Sequence, residues 1–447
     1  MCQTLSLMKL RLTVQRKEYL MSISESIRFF RKEAGLTQKD LARKCGLAEI
    51  TIRQYESGKR EPRSSQLAKI AGALKLSEAD LYLGQRIEYT DLRALDEGFR
   101  NRLRAYENIR HVPLPEDQKI RTDLLIMGEI LVEIMRDRED VPLGQTGTFK
   151  GPYPSGAPAI CIDAAARLGC NTVLVGSVGR DDFGKLVINR LESGGVDCRC
   201  ITQTDRHSTG CAFVTYFKDG SRRFIFHMGA SVHAAAPAPA QFGKVKYMHI
   251  MGCSLMADPY LAQGILDTMH TLSEAGTKIS FDPNIRKELY QTAEIKEIFA
   301  DVLMHTNILL PGKEELLLIT GENDVGSAVR KCFENPGLEM LVLKDGSRGS
   351  RLYTRCAPDP DTAESTDELK VCQIDAYKIE QKDPTGAGDC FDGAFLAGLI
   401  RGETPETAAQ MGAAAGALNA MAFGPMEGKI DPETIYKIIE TGNIASP

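Results

Sequence analysis

Long apolar stretches are missing from this sequence. None of its 447 residues belongs to an uninterrupted apolar run of the roughly 18 residues that a membrane span needs, so no membrane partner is expected. Residues 1–20 also lack the continuous apolar core and the small-residue cleavage site of a secretion signal. We therefore expect a cytoplasmic protein.

Paired cysteines are missing as well. The 12 cysteines are scattered, no CxxC pair occurs, and few histidines lie near them in the sequence. Cysteine-based metal sites and redox motifs use such pairs. We therefore expect free thiols in a reducing compartment, and the cysteines predict no structural metal.

Length and charge indicate more than one domain. A chain of 447 residues exceeds what one hydrophobic core usually supports. Residues 1–110 carry 22 Lys and Arg against 14 Asp and Glu, a net +8, whereas the remainder carries 33 against 46, a net −13. The basic first quarter suits a polyanion such as DNA, and the acidic remainder argues against nucleic acid around the larger part.

Residues 22–84 have the pattern of a small all-α domain. Apolar residues recur at helical spacing at its start, and Thr37 followed by Asp40 forms a variant of the capping box that opens a second helix. Gly46 supplies a turn, and a third helix is predicted over residues 49–56. Two short helices joined by a glycine turn indicate a helix-turn-helix, with an uninvolved helical bundle as the alternative.

This domain resembles the lambda-repressor-like (XRE/Cro) family over its whole length, most specifically at Gly35–Gln38 and Tyr55–Pro62. The resemblance implies that the later helix enters the major groove of DNA. The implied contacts are Gln38 to a phosphate, Glu49, Ile50 and Gln54 to base edges, and Thr51, Arg53, Lys59 and Arg60 to the DNA backbone. A domain this small grips one half-site, so a homodimer on a palindromic operator is expected, and residues 85–118 are predicted to form a helical linker.

The rest of the sequence alternates short apolar strands with helices. A strand over residues 123–129 opens the pattern, and helices are predicted near residues 157–168 and 257–275. Such alternation is typical of a mostly parallel sheet covered on both sides by helices. In sheets of this kind, ligands bind at the carboxyl ends of the strands.

The segment Asp383–Phe395 carries the strongest chemical signal. Gly386, Ala387 and Gly388 can direct successive backbone N–H groups at one point, and the helix that follows adds the partial positive charge of its N-terminus. A phosphoryl group would be stabilised there. Asp389 lies within this cradle, where its carboxylate could accept a proton from an attacking hydroxyl. The alternative is an ordinary helix-capping aspartate in a glycine turn.

Residues 119–447 resemble the PfkB carbohydrate kinase family throughout. The run Asp383–Asp389 matches that family's C-terminal signature, and residues 155–169 match its N-terminal signature in altered form. The resemblance implies an α/β ribokinase-like fold with a mostly parallel sheet and a small β lid, whose strands are expected within residues 197–232. It also implies a sugar substrate, with ATP and Mg²⁺ as cofactors.

The functional residues of that family carry over to matching positions. Catalysis is expected of Asp389 with the anion-binding backbone of Gly386, Ala387 and Gly388. Sugar contacts are expected from Glu133, placed at the end of the first strand, and from Gly156, Asp282 and Asn284. Contacts with ATP are expected from Thr385, Lys344, Gly346, Gly349 and Ala413, and Mg²⁺ is expected at Glu315.

Two departures from the family pattern leave the substrate and the metal open. Ile160 stands where most members have an asparagine that touches the sugar, and Gly312 stands where the Asn-x-x-Glu motif has its asparagine. The sequence favours an ATP-dependent kinase for a ketohexose-like sugar, such as tagatose or fructose, fused to a sequence-specific DNA-binding domain that regulates transcription. A non-catalytic regulator that senses sugar or nucleotide, and a nucleoside kinase, remain alternatives.

Overall fold

The computed structural model describes residues 23–60, 62, 64–74, 119–218, 222–234, 241–286, 290, 292–356 and 368–444. The chain divides into two compact units, residues 1–106 and 107–447. The boundary falls inside the linker predicted over residues 85–118, which lies outside the described residues, so its helical character stays a prediction. No helix among the described residues is long and apolar enough to cross a membrane.

The described part of the first unit is all helical, as predicted. Its helices are α1 (Ile23–Glu33), α2 (Gln38–Cys45), α3 (Glu49–Glu56) and α4 (Ser64–Leu74). The Thr37 side chain accepts a hydrogen bond from the backbone N–H of Asp40, the Asp40 carboxylate accepts one from the N–H of Thr37, and Gly46 ends α2 at a φ of 65°. The Thr37–Asp40 capping box fixes the start of α2, and Gly46 fixes the turn into α3. Ile52 and Tyr55 of α3 are fully buried in the helical core.

The second unit contains two sheets and flanking helices. Its strands are β1 (Leu124–Met127), β2 (Leu131–Arg136), β3 (Phe149–Ser155), β4 (Thr172–Gly179), β5 (Val196–Asp197), β6 (Ile201–Thr204), β7 (Gly210–Tyr216), β8 (Arg222–His227), β9 (Tyr247–Met251), β10 (Lys278–Asp282), β11 (Thr306–Leu309), β12 (Met340–Lys344), β13 (Ser350–Arg355) and β14 (Leu369–Ile374). Its helices are α5 (Ala157–Arg167), α6 (Asp182–Gly194), α7 (Gly252–Ala257), α8 (Pro259–Glu274), α9 (Ala293–His305), α10 (Lys313–Thr320), α11 (Val325–Cys332), α12 (Ala387–Arg401), α13 (Pro405–Ala420) and α14 (Pro432–Thr441), with short 3₁₀ helices at Gly229–His233 and Gly346–Arg348.

The larger sheet is mostly parallel, as predicted. Strands β5, β4, β1, β9, β10, β11 and β12 run parallel in that spatial order, β6 also pairs in parallel with β4, and β13 and β14 are antiparallel at one edge. Alternate residues of β1 enter opposite cores: Leu124 and Ile126 pack on one side of the sheet, and Leu125 and Met127 pack on the other. A strand buried on both faces explains the continuous apolar run in the sequence.

The predicted small sheet is present, but its strands come from two separate parts of the chain. Its order is β3-β2-β7-β8, with β2 parallel to β7 and antiparallel pairs at both edges. Strands β7 and β8 lie within the predicted segment, but β5 and β6 join the large sheet instead. The mostly apolar segment over residues 124–135 contains two strands in two different sheets, because the chain leaves the large sheet after Met127 and β2 begins at Leu131. Glu133 therefore lies in the small sheet, and its placement at the end of the first strand was wrong.

Candidate active site and nucleic-acid interface

The phosphate cradle lies at the N-terminus of α12. Gly386 is the N-cap, with a φ of 75°, and a Cβ atom there would lie 2.5 Å from the carbonyl oxygen of Pro425. Only glycine fits this position. No described side chain caps this helix end, so first-turn N–H groups such as those of Gly388 and Asp389 point out without intrahelical acceptors. The cradle can accept an anionic oxygen.

Buried polar contacts hold the loop before α12 in place. Asp383 Oδ1 accepts the N–H of Thr385 at 2.9 Å, and its Oδ2 accepts the N–H of Gly424 at 3.0 Å. The Asn419 amide donates to the carbonyl oxygen of Thr385 at 2.8 Å. Thr385, predicted to contact ATP, is thus fixed from two sides, and the cradle is preorganised.

Asp389 is the third residue of α12 and opens onto the cleft. Burial raises the pKa of its carboxyl to about 7, the nearby Asp282 carboxylate adds to the rise, and Lys344 opposes it. Its Oδ1 accepts a hydrogen bond from Asn284 Nδ2 at 3.2 Å. Among the described residues, its carboxylate makes no bond to the N-cap backbone of Gly386, unlike a capping aspartate. A carboxyl group with a pKa near 7 suits a general base at neutral pH.

Asn284 and Glu315 build the wall beside Asp389. Asn284 follows β10 at a φ of 35°, a positive value that residues other than glycine seldom adopt. Its hydrogen bonds to Asp282 and Asp389 help to hold this conformation. Glu315 Oε1 accepts the N–H of Ile285, and its Oε2 accepts the N–H of Gly312, both at 2.8 Å. Burial raises the pKa of Glu315. Both carboxylate oxygens therefore have backbone partners, and Gly312 adds no side-chain oxygen to this expected metal site.

A buried lysine lies beneath the cradle. Lys344 Nζ donates to Asp282 Oδ2 at 3.0 Å and to both oxygens of Asp392 at 2.9 Å, and a Cβ on Gly388 would lie 3.9 Å from it. Burial raises the pKa of Asp392 strongly; burial also opposes ionisation of Asp282, but the ammonium of Lys344 keeps the pKa of Asp282 low. Asp282 Oδ1 accepts the N–H of Asn284 at 3.0 Å. The structure gives Lys344 and Asp282 protein partners where the sequence predicted ligand contacts.

Glu133 has an oxygen with no protein partner. Its Oε1 accepts the hydroxyl of Ser155 at 3.0 Å, and its buried Oε2 has no hydrogen-bond partner among the described residues. Burial raises the pKa of Glu133 to about 7, and both Asp383 and Asp389 contribute to the rise. A buried oxygen without a partner costs free energy, so a ligand hydroxyl would stabilise it. Glu133 Oε2 is therefore available for the predicted contact with a sugar hydroxyl, close enough to Asp389 for that carboxyl group to raise the pKa of Glu133.

The remaining predicted positions shape the walls. Gly156, the N-cap of α5, has a φ of 107°, and a Cβ there would lie 2.5 Å from the carbonyl oxygen of Glu129. On the predicted nucleotide side, Gly346 opens a 3₁₀ turn, and a Cβ on Gly349 would lie 2.0 Å from the carbonyl oxygen of Ile374. Ala413 is half-buried on α13. Neighbouring backbone leaves no room for a side chain at Gly156 and Gly349, whereas Gly346 has open space around it and a φ of 57° that favours glycine.

Three residues of the cleft were missed by sequence reasoning. Tyr216, at the end of β7, donates its hydroxyl to Asp383 Oδ1 at 3.0 Å and also contacts the hydroxyl of Thr385. Burial opposes the charge of half-buried Arg286, but nearby acidic groups, Asp389 and Glu129 among them, raise its pKa. Arg286 and Glu129 belong to segments that match the family, whereas Tyr216 carries no sequence signal. Ile160 is buried, 3.2 Å from a Cβ built on Gly386, and presents no polar atom.

The candidate DNA surface is the exposed side of α3. Glu49 and Arg53 form an exposed ion pair at 3.1 Å, and Ile50 is 55% exposed. The other predicted contact residues are exposed or half-buried, namely Thr51, Gln54, Lys59 and Arg60. Gln38 also has a protein partner, since its amide donates to Glu56 Oε2 at 2.8 Å, and its contact with a phosphate stays a prediction.

Comparisons with known proteins match both units. Residues 121–431 match the family model described as pfkB family carbohydrate kinase, and residues 27–81 match a helix-turn-helix family model. Fructokinase-1 of Oryza sativa subsp. japonica is 28% identical over 72% of this chain and 99% of its own length. A protein named probable fructokinase-5 from Arabidopsis thaliana is 30% identical over 62% of this chain and 83% of its own.

Solved structures match the second unit. An E. coli protein described as a ribokinase II, in complex with ATP and Mg²⁺, is 34% identical with a TM-score of 0.64, and the match covers 72% of this chain and 99% of that one. A fructokinase from Vibrio cholerae O395, bound to fructose, ADP and calcium ion, is 23% identical with a TM-score of 0.59 over the same shares. The latter likeness concerns the fold alone.

Proposed function

Because the chain belongs to the pfkB family of carbohydrate kinases, we propose that it transfers the γ-phosphoryl group of ATP to a hydroxyl of a ketohexose. The position and the raised pKa of Asp389 support this function most strongly. Its carboxyl group has a pKa of about 7 and lies in the first turn of α12, beside backbone N–H groups without an intrahelical acceptor. This carboxyl group also raises the pKa of Glu133, whose Oε2 has no hydrogen-bond partner among the described residues. A base and an anion cradle at one point are what phosphoryl transfer to an alcohol requires.

In the proposed reaction Asp389 accepts the proton of the sugar hydroxyl, whose oxygen forms a bond to the γ-phosphorus while the bond to the β-phosphate oxygen breaks and ADP leaves. Asn284 holds the Asp389 carboxylate through its 3.2 Å hydrogen bond. The N–H groups of α12 stabilise the charge on the transferred group, and the ammonium of Lys344 lies behind them. The donor contacts of Tyr216 tie the small sheet to the cradle.

Mg²⁺ fits the donor set as an ion held mainly by water and phosphate oxygens. The carboxylates of Asp282 and Glu315 accept the N–H groups of the adjacent residues Asn284 and Ile285, so they lie in the same part of the site, although these hydrogen bonds already use some of their oxygens. Magnesium keeps several waters and needs few protein ligands, which agrees with the missing oxygen at Gly312. Bound Mg²⁺ would neutralise charge on the phosphates.

Fructose is the first substrate to test, because curated relatives across nearly the whole kinase length are fructokinases. Glu133 supports a polyhydroxyl ligand, since its carboxylate can accept from a sugar hydroxyl while Ser155 holds the other oxygen. The experiment is a coupled assay of ADP release by the purified protein with ATP, Mg²⁺ and a panel of fructose, tagatose, 2-keto-3-deoxygluconate and nucleosides. Turnover with nucleosides and not with sugars would replace this substrate class.

A non-catalytic sensor is the second candidate, favoured by Ile160 and Gly312, which both remove a polar side chain that most family members have. The same assay separates the two readings. Binding of sugar and ATP with calorimetric heats, but no ADP release, would assign the fold to sensing.

We also propose that the helix-turn-helix unit binds operator DNA as part of a homodimer and that sugar changes this binding. The exposed α3 surface and the match of residues 27–81 support DNA binding. A sugar shifts DNA affinity only by its differential affinity for the two states, so we expect a coupling of roughly 1–3 kcal/mol, about 5–150-fold. The coupling is reciprocal, and calorimetric titration of sugar with and without operator DNA measures it. Equal sugar affinities in the two titrations would show a tether without a switch.

A further inference from the structure

Two histidines and an aspartate converge on the outer surface of two neighbouring helices. His270 lies on α8, and Asp301 and His305 lie one turn apart on α9. One ligand atom from each side chain lies within 4.8 Å of the other two. His270 Nε2 is 3.1 Å from Asp301 Oδ2, and His305 Nδ1 is 3.3 Å from Asp301 Oδ1 and 2.9 Å from the backbone carbonyl oxygen of Asp301. The carboxylate therefore stands between the two rings. We propose that these three residues bind a divalent transition-metal ion of the zinc class and thereby cross-link α8 to α9. The His305 ring would exchange its carbonyl contact for the ion.

The ligand chemistry favours zinc over the hard cations. Two imidazole nitrogens and one carboxylate oxygen form a three-ligand set that leaves a fourth tetrahedral position for water. Mg²⁺ and Ca²⁺ prefer oxygen ligands and would gain little from the imidazoles. The exposed fractions of 41% for His270, 29% for Asp301 and 34% for His305 give an ion access from solvent.

The helix backbone around the cluster is fixed, so only the side chains need to move. The Asn335 amide donates to the carbonyl oxygens of Leu303 at 2.9 Å and of Thr306 at 3.3 Å, which caps the end of α9 that carries His305. Ligand atoms of a tetrahedral ion, at about 2.0–2.2 Å from it, stand roughly 3.4 Å apart. The ligand atoms of the three side chains lie within 4.8 Å of one another, so shifts on the order of 1 Å would bring them to tetrahedral spacing. Rotation of the half-exposed rings supplies shifts of this size.

This site is separate from the kinase chemistry and was not predictable from the sequence. Asp301 and His305 have a common helical spacing, and only the fold brings His270 from another helix. None of the three contacts Asp389, Glu133 or the cradle among the contacts of the described residues. The inference therefore does not depend on the proposed function.

The test uses tag-free, chelator-treated full-length protein titrated with Co²⁺, which reports four-coordinate binding through strong visible absorption. We expect one such site in the wild type. His305→Asn and Asp301→Asn should each weaken it by at least about 10–100-fold, the loss that even a partner outside the coordination sphere causes. Free thiols compete for the metal, but thiolate ligation adds a near-ultraviolet charge-transfer band, which this site lacks.

The matched control is His233→Asn, which removes one ring of the stacked His207–His233 pair, whose centroids are 4.2 Å apart, and should leave the absorption unchanged. Zn²⁺ should also raise the Tm of the wild type and of His233→Asn, but not of His305→Asn, because an ion that binds only the native state stabilises it. An absorption or a Tm shift that His305→Asn leaves unchanged, or no four-coordinate absorption in the wild type, would overturn the site.

Discussion

Replacement of Asp389 by asparagine tests the assignment of the base. The amide keeps the shape of the side chain and an oxygen that can accept from Asn284, whose present contact is 3.2 Å. It cannot accept the hydroxyl proton. Removal of a general base costs on the order of 10²–10⁴-fold in kcat, or roughly 3–5 kcal/mol of barrier. Sugar and ATP should still bind.

The pH dependence sharpens this prediction. Because burial raises the pKa of Asp389 to about 7, the fraction of carboxylate falls as the pH falls through 7. The kcat of the wild type should therefore decrease on the acid side by about tenfold per pH unit well below 7, and Asp389→Asn should lose this limb.

The assay is steady-state ADP release from pH 5.5 to 8.5, with calorimetry for binding. Asp182→Asn is the matched control, because Asp182 also lies in the first turn of a helix but is exposed on α6. If Asp389→Asn keeps the kcat of the wild type and the acid limb of its pH profile, Asp389 is structural and is not the general base.

Three further predictions concern binding and the lid. Glu133→Gln should keep the Ser155 contact but raise the KM for sugar by roughly 10–100-fold, as expected for loss of a charge-assisted hydrogen bond, while an unchanged KM would remove the sugar contact. Tyr216→Phe removes the contacts with Asp383 and Thr385 and should lower kcat/KM for sugar, which initial-rate kinetics can check; an unchanged kcat/KM would show that these contacts do not support the cradle. Gln54→Ala should relax DNA sequence preference, whereas Arg60→Ala should weaken all sites alike and flatten the salt slope by about one, as measured by binding at several salt concentrations; loss of sequence preference in Arg60→Ala would reverse these roles.

Features encoded by neighbouring residues were predictable. The start of α2 follows from Thr37 and Asp40, which lie within one helical turn of each other, and the turn into α3 follows from Gly46 directly after α2. The cradle follows in the same way, because Gly386 must be glycine and the helix starts directly after it. In both places the backbone conformation is set by local hydrogen bonds and by the missing side chain of glycine.

Features that depend on distant segments were not predictable. The contact between Tyr216 and Asp383 joins residues 167 positions apart, and Lys344 meets Asp282 and Asp392 from three separate segments. Strands β2 and β3 of the small sheet were missed for the same reason, because a mostly apolar segment does not reveal where the chain passes from one sheet to another. Pairing partners of such groups follow from strand order, which the hydrophobic pattern leaves undetermined.

Phosphorylation of a sugar in the cleft around Asp389 can be measured directly. The most direct measurement is single-turnover transfer of the γ-phosphoryl group from labelled ATP to fructose by purified protein, with wild type and Asp389→Asn compared side by side. We expect a sugar phosphate in the wild type and a rate at least about 100-fold lower in the variant. Equal rates in the two proteins, or ATP hydrolysis without any sugar phosphate across the panel, would contradict it.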